Sequence, residues 1–286
     1  MVVGSQAIHL VRTQMNTLND LEAKEWVKST KSWFIVNPRS RTTEQMNHPA
    51  KYPEELVQRF ISFFTKRGSW VLDPFAGVGS TLIACKELSR NAVGIELHEE
   101  FVESGMKRLQ ATEGSGDQQL LVGDARETKS IVGGRFGEAL PTFDYLITSP
   151  PYWDMLRKSR GGNDSVQRSR GQQGLKQYYS DSEKDLGNIP SYCEYIEVLG
   201  MLFGGLKTML RDKAYLTVVV QNMRDVDGLL KPIAWDLARR MSEDYELRQE
   251  MIWCQDNKKL GCWGYPNTYV SNVHHHYCLM FQKPGQ

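Results

Sequence analysis

Ser149-Pro150-Pro151-Tyr152 comes directly after the apolar run Phe143-Asp144-Tyr145-Leu146-Ile147 and Thr148. Neither proline has an N–H to donate, so a strand arriving from Phe143 must stop at Thr148 or Ser149. Beyond that point the chain forms a stiff, extended lip with bare carbonyls, one hydroxyl and the aromatic pair Tyr152-Trp153. Such a lip can accept hydrogen bonds from an amino group and stack a flat ring. Those are the needs of chemistry on the exocyclic amine of a nucleobase. The same residues also suit a Pro-Pro turn that ends a strand, with Tyr152 and Trp153 packed as core. The tetrapeptide alone does not separate the two.

Three other strand ends bear on the choice. Asp73-Pro74-Phe75-Ala76-Gly77-Val78-Gly79 comes after Trp70-Val71-Leu72 and opens a helix. Gly77 and Gly79 allow a tight turn and close approach of backbone to a ligand. On its own this is a common β–α turn. Its place at the carboxyl end of the first strand of an open α/β sheet is where such sheets bind ligands. No lysine comes after the glycines as a phosphate-binding loop requires, which argues against a nucleotide triphosphatase. Glu96 ends the run Val93-Gly94-Ile95, where a carboxylate can accept both hydroxyls of a ribose. Asp124 ends Val122-Gly123-Asp124, where it can take an adenine amino group. Alone, Glu96 reads as a solvated strand end and Asp124 as a helix cap. Together, at one edge of a sheet, the three outline a nucleoside site beside the Ser149 lip.

Other residue clusters point away from metal and redox chemistry. The five cysteines form no C-x-x-C pair, so neither a zinc site nor a disulfide framework is indicated. His274-His275-His276 opens a strand, where successive side chains face opposite ways and do not converge on one ion. No metal is expected. The net charge of the 286-residue chain is +1, so an anionic partner must be met by a local patch. No stretch reaches the length of a membrane span and the first residues do not form a signal peptide, so a soluble, cytoplasmic protein with no membrane contact is expected.

The elements that must position these groups alternate. Strands are predicted over 70–72, 92–95, 119–122, 143–147, 214–220, 247–254 and 277–282. Helices are predicted over 78–88, 99–109, 192–210 and 233–241. That rhythm implies βαβ units, a mostly parallel sheet with helices on both faces, and a final strand pair that could run antiparallel at one edge. Two segments break the rhythm. Residues 1–47 read as an N-terminal arm, with Arg39 and Arg41 as candidate contacts. Residues 154–190 form a long polar connection carrying Arg157, Lys158, Arg160, Arg168, Arg170 and Lys176, with Gln172 and Gln173 among them. Loops of this length are functional or disordered. Here the basic side chains suit phosphate contact and the glutamines suit base edges, and solvated surface charge is the equal alternative.

The paired motifs resemble those of S-adenosylmethionine-dependent DNA amino-methyltransferases, the cytosine-N4 and adenine-N6 family. Asp73 to Gly79 is similar to that family's cofactor motif and Ser149 to Tyr152 to its catalytic motif. Asn47-His48-Pro49-Ala50-Lys51-Tyr52-Pro53, before a helix from Glu54, resembles the segment that helps hold the methionine end of the cofactor. The resemblance runs from about His48 to the C-terminus. It implies a Rossmann-like methyltransferase fold over 48–286 with an inserted basic loop at 154–190. It also implies S-adenosyl-L-methionine as cofactor, held by Lys51, Asp73, Pro74, Phe75, Ala76, Gly77, Gly79, Ser80, Thr81, Glu96 and Asp124. Ser149, Pro150, Pro151 and Tyr152 would be catalytic. Trp153, Arg157, Lys158, Arg160, Arg168 and Arg170 would meet substrate.

Serine at the first catalytic position is typical of the cytosine-N4 type. The implied activity is methylation of cytosine N4 in duplex DNA, with a cognate restriction endonuclease as a functional partner. Adenine-N6 methylation, a base amine in structured RNA, and a silent nucleic-acid-binding protein of the same fold are the alternatives. Carbon-5 methylation of cytosine would need a nucleophilic cysteine after a proline, and none of the cysteines has one before it. In this chain the cofactor motif precedes the catalytic motif, the reverse of many relatives. No family-typical recognition domain is evident between Asp124 and Ser149.

Overall fold

A computed structural model of the protein describes residues 16–37, 53–153, 182–225, 228–258, 260–263, 265–267 and 269–285. Eight strands form its central sheet: β1 (Trp33–Ile35), β2 (Trp70–Asp73), β3 (Asn91–Glu96), β4 (Gln118–Val122), β5 (Phe143–Thr148), β6 (Leu210–Val220), β9 (Glu246–Cys254) and β12 (His275–Gln282). Their order across the sheet is β1-β9-β12-β6-β5-β2-β3-β4. Two small hairpins, β7 (Met223–Arg224) with β8 (Leu230–Lys231) and β10 (Cys262–Trp263) with β11 (Val270–Ser271), sit outside it. β2 to β6 run parallel; β12 runs antiparallel to both β6 and β9. The expected antiparallel pairing of the last two long strands is therefore present.

The helices among the described residues are α1 (Ala23–Ser29), α2 (Glu54–Phe64), α3 (Ser80–Glu87), α4 (Glu99–Ala111), α5 (Thr128–Phe136), α6 (Tyr192–Leu206) and α7 (Ile233–Met241). They divide between the two faces because strand side chains alternate. Val71, Tyr145, Ile147 and Val219 pack with α2 and α3 residues such as Leu56, Phe60 and Leu82. Leu72, Leu146, Leu216 and Val218 pack on the other face with Leu199, Phe203 and Leu237 of α6 and α7. Burial on both faces explains why the central strands read as continuous apolar runs.

Two organisational expectations change. The segment read as an arm contributes β1, which extends the sheet in parallel pairing with β9, and Phe34 and Val36 are buried in the core. Within the long connection read as ending at Pro190, a 3₁₀ turn at Leu186–Asn188 buries Leu186 in the core. Helix α5 escapes the periodicity because Gly133 and Gly134 weaken helix propensity and only Thr128 and Val132 on it are buried.

Candidate active site

The sheet reverses direction of build between β2 and β5: β3 and β4 lie to one side, β6 and β12 to the other. Beyond the carboxyl ends at such a reversal, the loops part and leave a crevice. Asp73 ends β2 there. Its carboxylate is fully buried. Oδ1 accepts the Phe75 N–H at 3.0 Å and the Thr148 hydroxyl at 2.6 Å; Oδ2 accepts the Thr81 hydroxyl at 2.5 Å. Asp73 thus ties the glycine turn and the first turn of α3 to the end of β5, immediately before Ser149. Sequence alone does not single out Thr148; its place one residue before the lip is the signal that could have found it.

The turn itself is clamped from two sides. Gly77 and Gly79 take positive φ, 53° and 78°. The Ala76 N–H bonds the Ile95 carbonyl at 2.8 Å, which locks the turn to β3. From α4, Arg108 donates to the Val78 carbonyl at 2.5 Å and pairs with Glu54, which also accepts the Ser80 hydroxyl at 3.2 Å. Gly105 of α4 approaches so closely that a Cβ there would lie 3.2 Å from Val78 backbone and 2.5 Å from Leu120. Neither Glu54, Arg108 nor Gly105 could be assigned this task without knowing how α2 and α4 pack.

Glu96 lies beside the turn, 9% exposed. Its Oε2 accepts the Gly77 N–H and its Oε1 the His98 N–H, both at 2.9 Å. Each oxygen keeps a further lone pair, so the carboxylate can still accept a vicinal diol. Burial pushes its pKa up to about 7, against the two backbone N–H bonds that lower it; the nearby charges of Asp73 and Asp185 raise it further. Gly94, below, leaves no room for a side chain: a Cβ would lie 2.7 Å from Ala76 Cβ and 2.6 Å from Leu82 Cδ1.

Asp124 stands at the end of β4, as expected, but it is engaged. Its Oδ1 caps the Arg126 N–H at 2.9 Å, and the Arg126 guanidinium binds both oxygens at 2.6–3.1 Å. Burial alone would raise this carboxyl; the hydrogen bonds and charge of Arg126 outweigh it and hold the pKa below the ordinary range. An adenine amine can reach Asp124 only by sharing or displacing Arg126. The structure shows the cap reading of Asp124, with Arg126 on both of its oxygens.

The lip leaves β5 with Ser149 half-buried and Pro150 buried. The Ser149 hydroxyl donates to Tyr152 Oη at 3.4 Å, and Tyr152 Oη lies 3.1 Å from His276 Nδ1. The Pro151 carbonyl accepts the Tyr195 hydroxyl at 2.8 Å, fixing the lip to α6. Among the described residues, no donor reaches the Pro150 carbonyl. The 3₁₀ turn packs against the lip: a Cβ on Gly187 would lie 3.3 Å from the Tyr152 carbonyl oxygen. Its Asp185 and Lys184 act electrostatically on Glu96 and Asp124, so this turn belongs to the rim of the site.

Trp153 corrects an expectation. Its side chain is 6% exposed, sits in the core against Tyr192, and donates to the Ile189 carbonyl at 2.8 Å. It cannot stack on a base without leaving the core, because its indole N–H is already satisfied inside. Lys51, Arg157, Lys158, Arg160, Arg168 and Arg170 lie outside the described residues, as do Arg39, Arg41 and most of the Asn47–Pro53 segment. His275 turns toward Tyr277 and His276 toward Tyr152 and Trp253, the alternation expected of a strand.

Comparison with known proteins adds a second line. The profile of a family described as DNA methylase, the N6/N4 methyltransferase group, matches residues 5–107, which include the glycine turn and Glu96 but end before the Ser149 lip. The chain is 42% identical over 64 residues to the type II methyltransferase M2.DpnII of Streptococcus pneumoniae, covering 22% of this chain and 24% of that protein. It is 31% identical over 99 residues to the DNA adenine methyltransferase YhdJ of Escherichia coli, covering 35% and 34%. The matched stretches thus span about a quarter to a third of the length of these curated relatives. Among solved structures, TrmN from Thermus thermophilus superposes with a TM-score of 0.45 at 13% identity, over 80% of this chain and 48% of that one. An rRNA methylase from Streptococcus thermophilus does so with 0.44 at 12% identity, over 82% and 98%.

Proposed function

We propose that the protein is an S-adenosylmethionine-dependent DNA methyltransferase that modifies the exocyclic N4 amine of cytosine. One observation carries the reading. Asp73 bonds Thr148 across the sheet reversal, so the glycine turn and the Ser149-Pro150 acceptors are fixed to one another at the carboxyl edge of the sheet. A cofactor cradle and an amine-accepting lip are thereby held in a single rigid frame.

The residues fit the cofactor. Glu96 has acceptor capacity for the ribose diol, the turn at Gly77–Gly79 admits close backbone approach, and Asp124 with Arg126 offers a charged pair at the position for the adenine edge. When bound, the cofactor supplies an electrophilic methyl group. The chain's own contribution is to orient the amine. A base amine is a weak nucleophile because its lone pair is delocalised into the ring. Hydrogen bonds from its two protons to Ser149 Oγ and the Pro150 carbonyl favour a more tetrahedral nitrogen with the lone pair aimed outward. The methyl would come with cleavage of the cofactor's sulfonium carbon–sulfur bond, leaving a neutral thioether, and one amine proton would pass to solvent. Positioning and electrostatic preorganisation supply the acceleration, and no covalent enzyme intermediate is needed. In duplex DNA the base must leave the stack to reach the lip.

Support for DNA as substrate and for a restriction-modification setting comes from the relatives, which are named as type II and adenine DNA methyltransferases. The name of one of them makes adenine N6 the second reading; Ser149 in the first lip position favours cytosine. The test is to incubate the protein with labelled S-adenosylmethionine and duplex DNA or RNA, digest, and identify the methylated nucleoside. N4-methylcytosine supports the reading, N6-methyladenine replaces the base, and label confined to RNA overturns it. Ser149→Ala should lower turnover by about 10²-fold with cofactor binding intact.

A further inference from the structure

Behind the Ser149 hydroxyl lie two polar groups that the mechanism above does not use. Ser149 Oγ, Tyr152 Oη and His276 Nδ1 succeed one another at 3.4 and 3.1 Å. The chain ends at His276, whose ring is stacked on Trp253 with centroids 4.4 Å apart and planes 24° apart. Trp253 is itself 2% exposed and held by its indole N–H to the Val36 carbonyl at 2.7 Å. The imidazole is thus fixed in plane, and one nitrogen faces the Tyr152 hydroxyl.

Resting on the methyl-transfer reading, we propose that His276 is a positioning residue: as a neutral acceptor at Nδ1, it turns the Tyr152 and Ser149 hydroxyl hydrogens inward and leaves the Ser149 oxygen as an acceptor toward the target amine. A hydroxyl is both donor and acceptor, and its hydrogen rotates to suit its neighbours. Ser149 alone would therefore face the amine with either character, and a donor facing an N–H donor is repulsive. An acceptor at the far end removes the ambiguity. Tyr152 donates to His276, its oxygen then accepts from Ser149, and both lone pairs of Ser149 remain outward. Reversal requires a proton on Nδ1. Burial, reinforced by the charge of Lys258 and by His275, pushes the His276 pKa down to about 3, so the ring stays neutral. The proposal places the remaining proton of the neutral ring on Nε2, the tautomer that leaves Nδ1 free to accept from Tyr152.

The first test reads the histidine itself and does not depend on catalysis. Nitrogen NMR of the full-length protein labelled at histidine should show His276 neutral, with Nδ1 unprotonated and its resonance displaced in Tyr152→Phe. A protonated Nδ1 overturns the proposal, because the chain would then point outward. The second test is kinetic, with labelled S-adenosylmethionine and unmethylated plasmid DNA. His276→Phe keeps a ring on Trp253 and removes the acceptor; Tyr152→Phe removes the middle hydroxyl. Each should lower kcat roughly tenfold, the value of one hydrogen bond, with S-adenosylhomocysteine affinity unchanged. The double variant should be no slower than either single one, and His276→Asn, which restores an acceptor, should recover part of the rate. Additive losses, or equal losses in cofactor affinity, overturn it. A wild-type protein that labels neither cytosine nor adenine sinks the methyl-transfer reading, while the nitrogen spectrum still decides the direction of the chain.

Discussion

Glu96 gives the sharpest test of the proposed cofactor site. Its carboxyl titrates near 4.5 in an unperturbed chain and is pushed up to about 7 here, chiefly by burial. Ribose hydroxyls need an ionised acceptor. Glu96 is about one-tenth ionised at pH 6 and nine-tenths at pH 8, so cofactor affinity should rise about tenfold across that interval. Folding shows the opposite trend. A pKa raised in the folded state means the fold binds the proton more tightly than the unfolded chain. The associated stability is fully present below pH 4.5 and is lost as pH rises through about 7, about 3 kcal/mol in all. Glu96→Gln removes both effects at once. Its amide has only one acceptor oxygen for the Gly77 and His98 N–H groups, so its NH₂ must face one of them. Affinity for S-adenosylhomocysteine should drop by about 10²-fold and lose its dependence on pH. Calorimetric titrations between pH 6 and 8, with melting curves over the same range, measure both trends. A wild-type affinity that is flat with pH, or a Gln variant that binds within twofold of wild type, would refute the assignment of Glu96 as the ionised diol acceptor.

The same frame gives three further outcomes. Asp73→Asn puts an NH₂ among the Phe75, Thr81 and Thr148 donors and should cost about 2–4 kcal/mol in denaturant unfolding, with cofactor affinity and turnover lost together. Gly94→Ala drives a methyl into Ala76 and Leu82; it should destabilise by about 1–3 kcal/mol and weaken cofactor binding, because the glycine turn is what must yield. Trp153→Ala should destabilise by about 3–5 kcal/mol, whereas Trp153→Phe, losing mainly the Ile189 bond, should keep near-normal affinity for DNA; a large selective loss of DNA binding in the Phe variant would return Trp153 to the substrate surface.

Much of this site is legible in one dimension because the chemistry sits at strand ends. Buried parallel strands are apolar on both faces, so Val71-Leu72, Val93-Gly94-Ile95 and Leu146-Ile147 announce themselves, and the first polar residues after each run stand at the carboxyl edge. Asp73, Glu96 and Asp124 stand out in that way, and Ser149 stands out by the two prolines after it. The glycines of the turn and the paired prolines of the lip are local backbone constraints, which act between neighbours and need no partner from elsewhere. The strand pattern likewise implies the α/β sheet and the antiparallel pairing of its last long strands.

What each group touches is decided only by the tertiary structure. Arg108 and Gly105 are ordinary helix residues until α4 is laid over the turn. Trp153 resembles a stacking platform until Ile189 and Tyr192 are folded around it. β1 is hidden because its 3 residues carry no period; its signal is the edge of β9, at Ile252 to Cys254 near the other end of the chain. His276 shows the same limit most plainly. Sequence alternation separates it from His275 and argues against three histidines sharing one ion, but the Tyr152 hydroxyl that gives it a task comes from 124 residues earlier. Local sequence determines where a strand ends and which group it ends on, because sterics and hydrophobic period act along the chain. The partner, the protonation state and hence the role of that group depend on burial and charge brought in from distant elements, which only packing supplies.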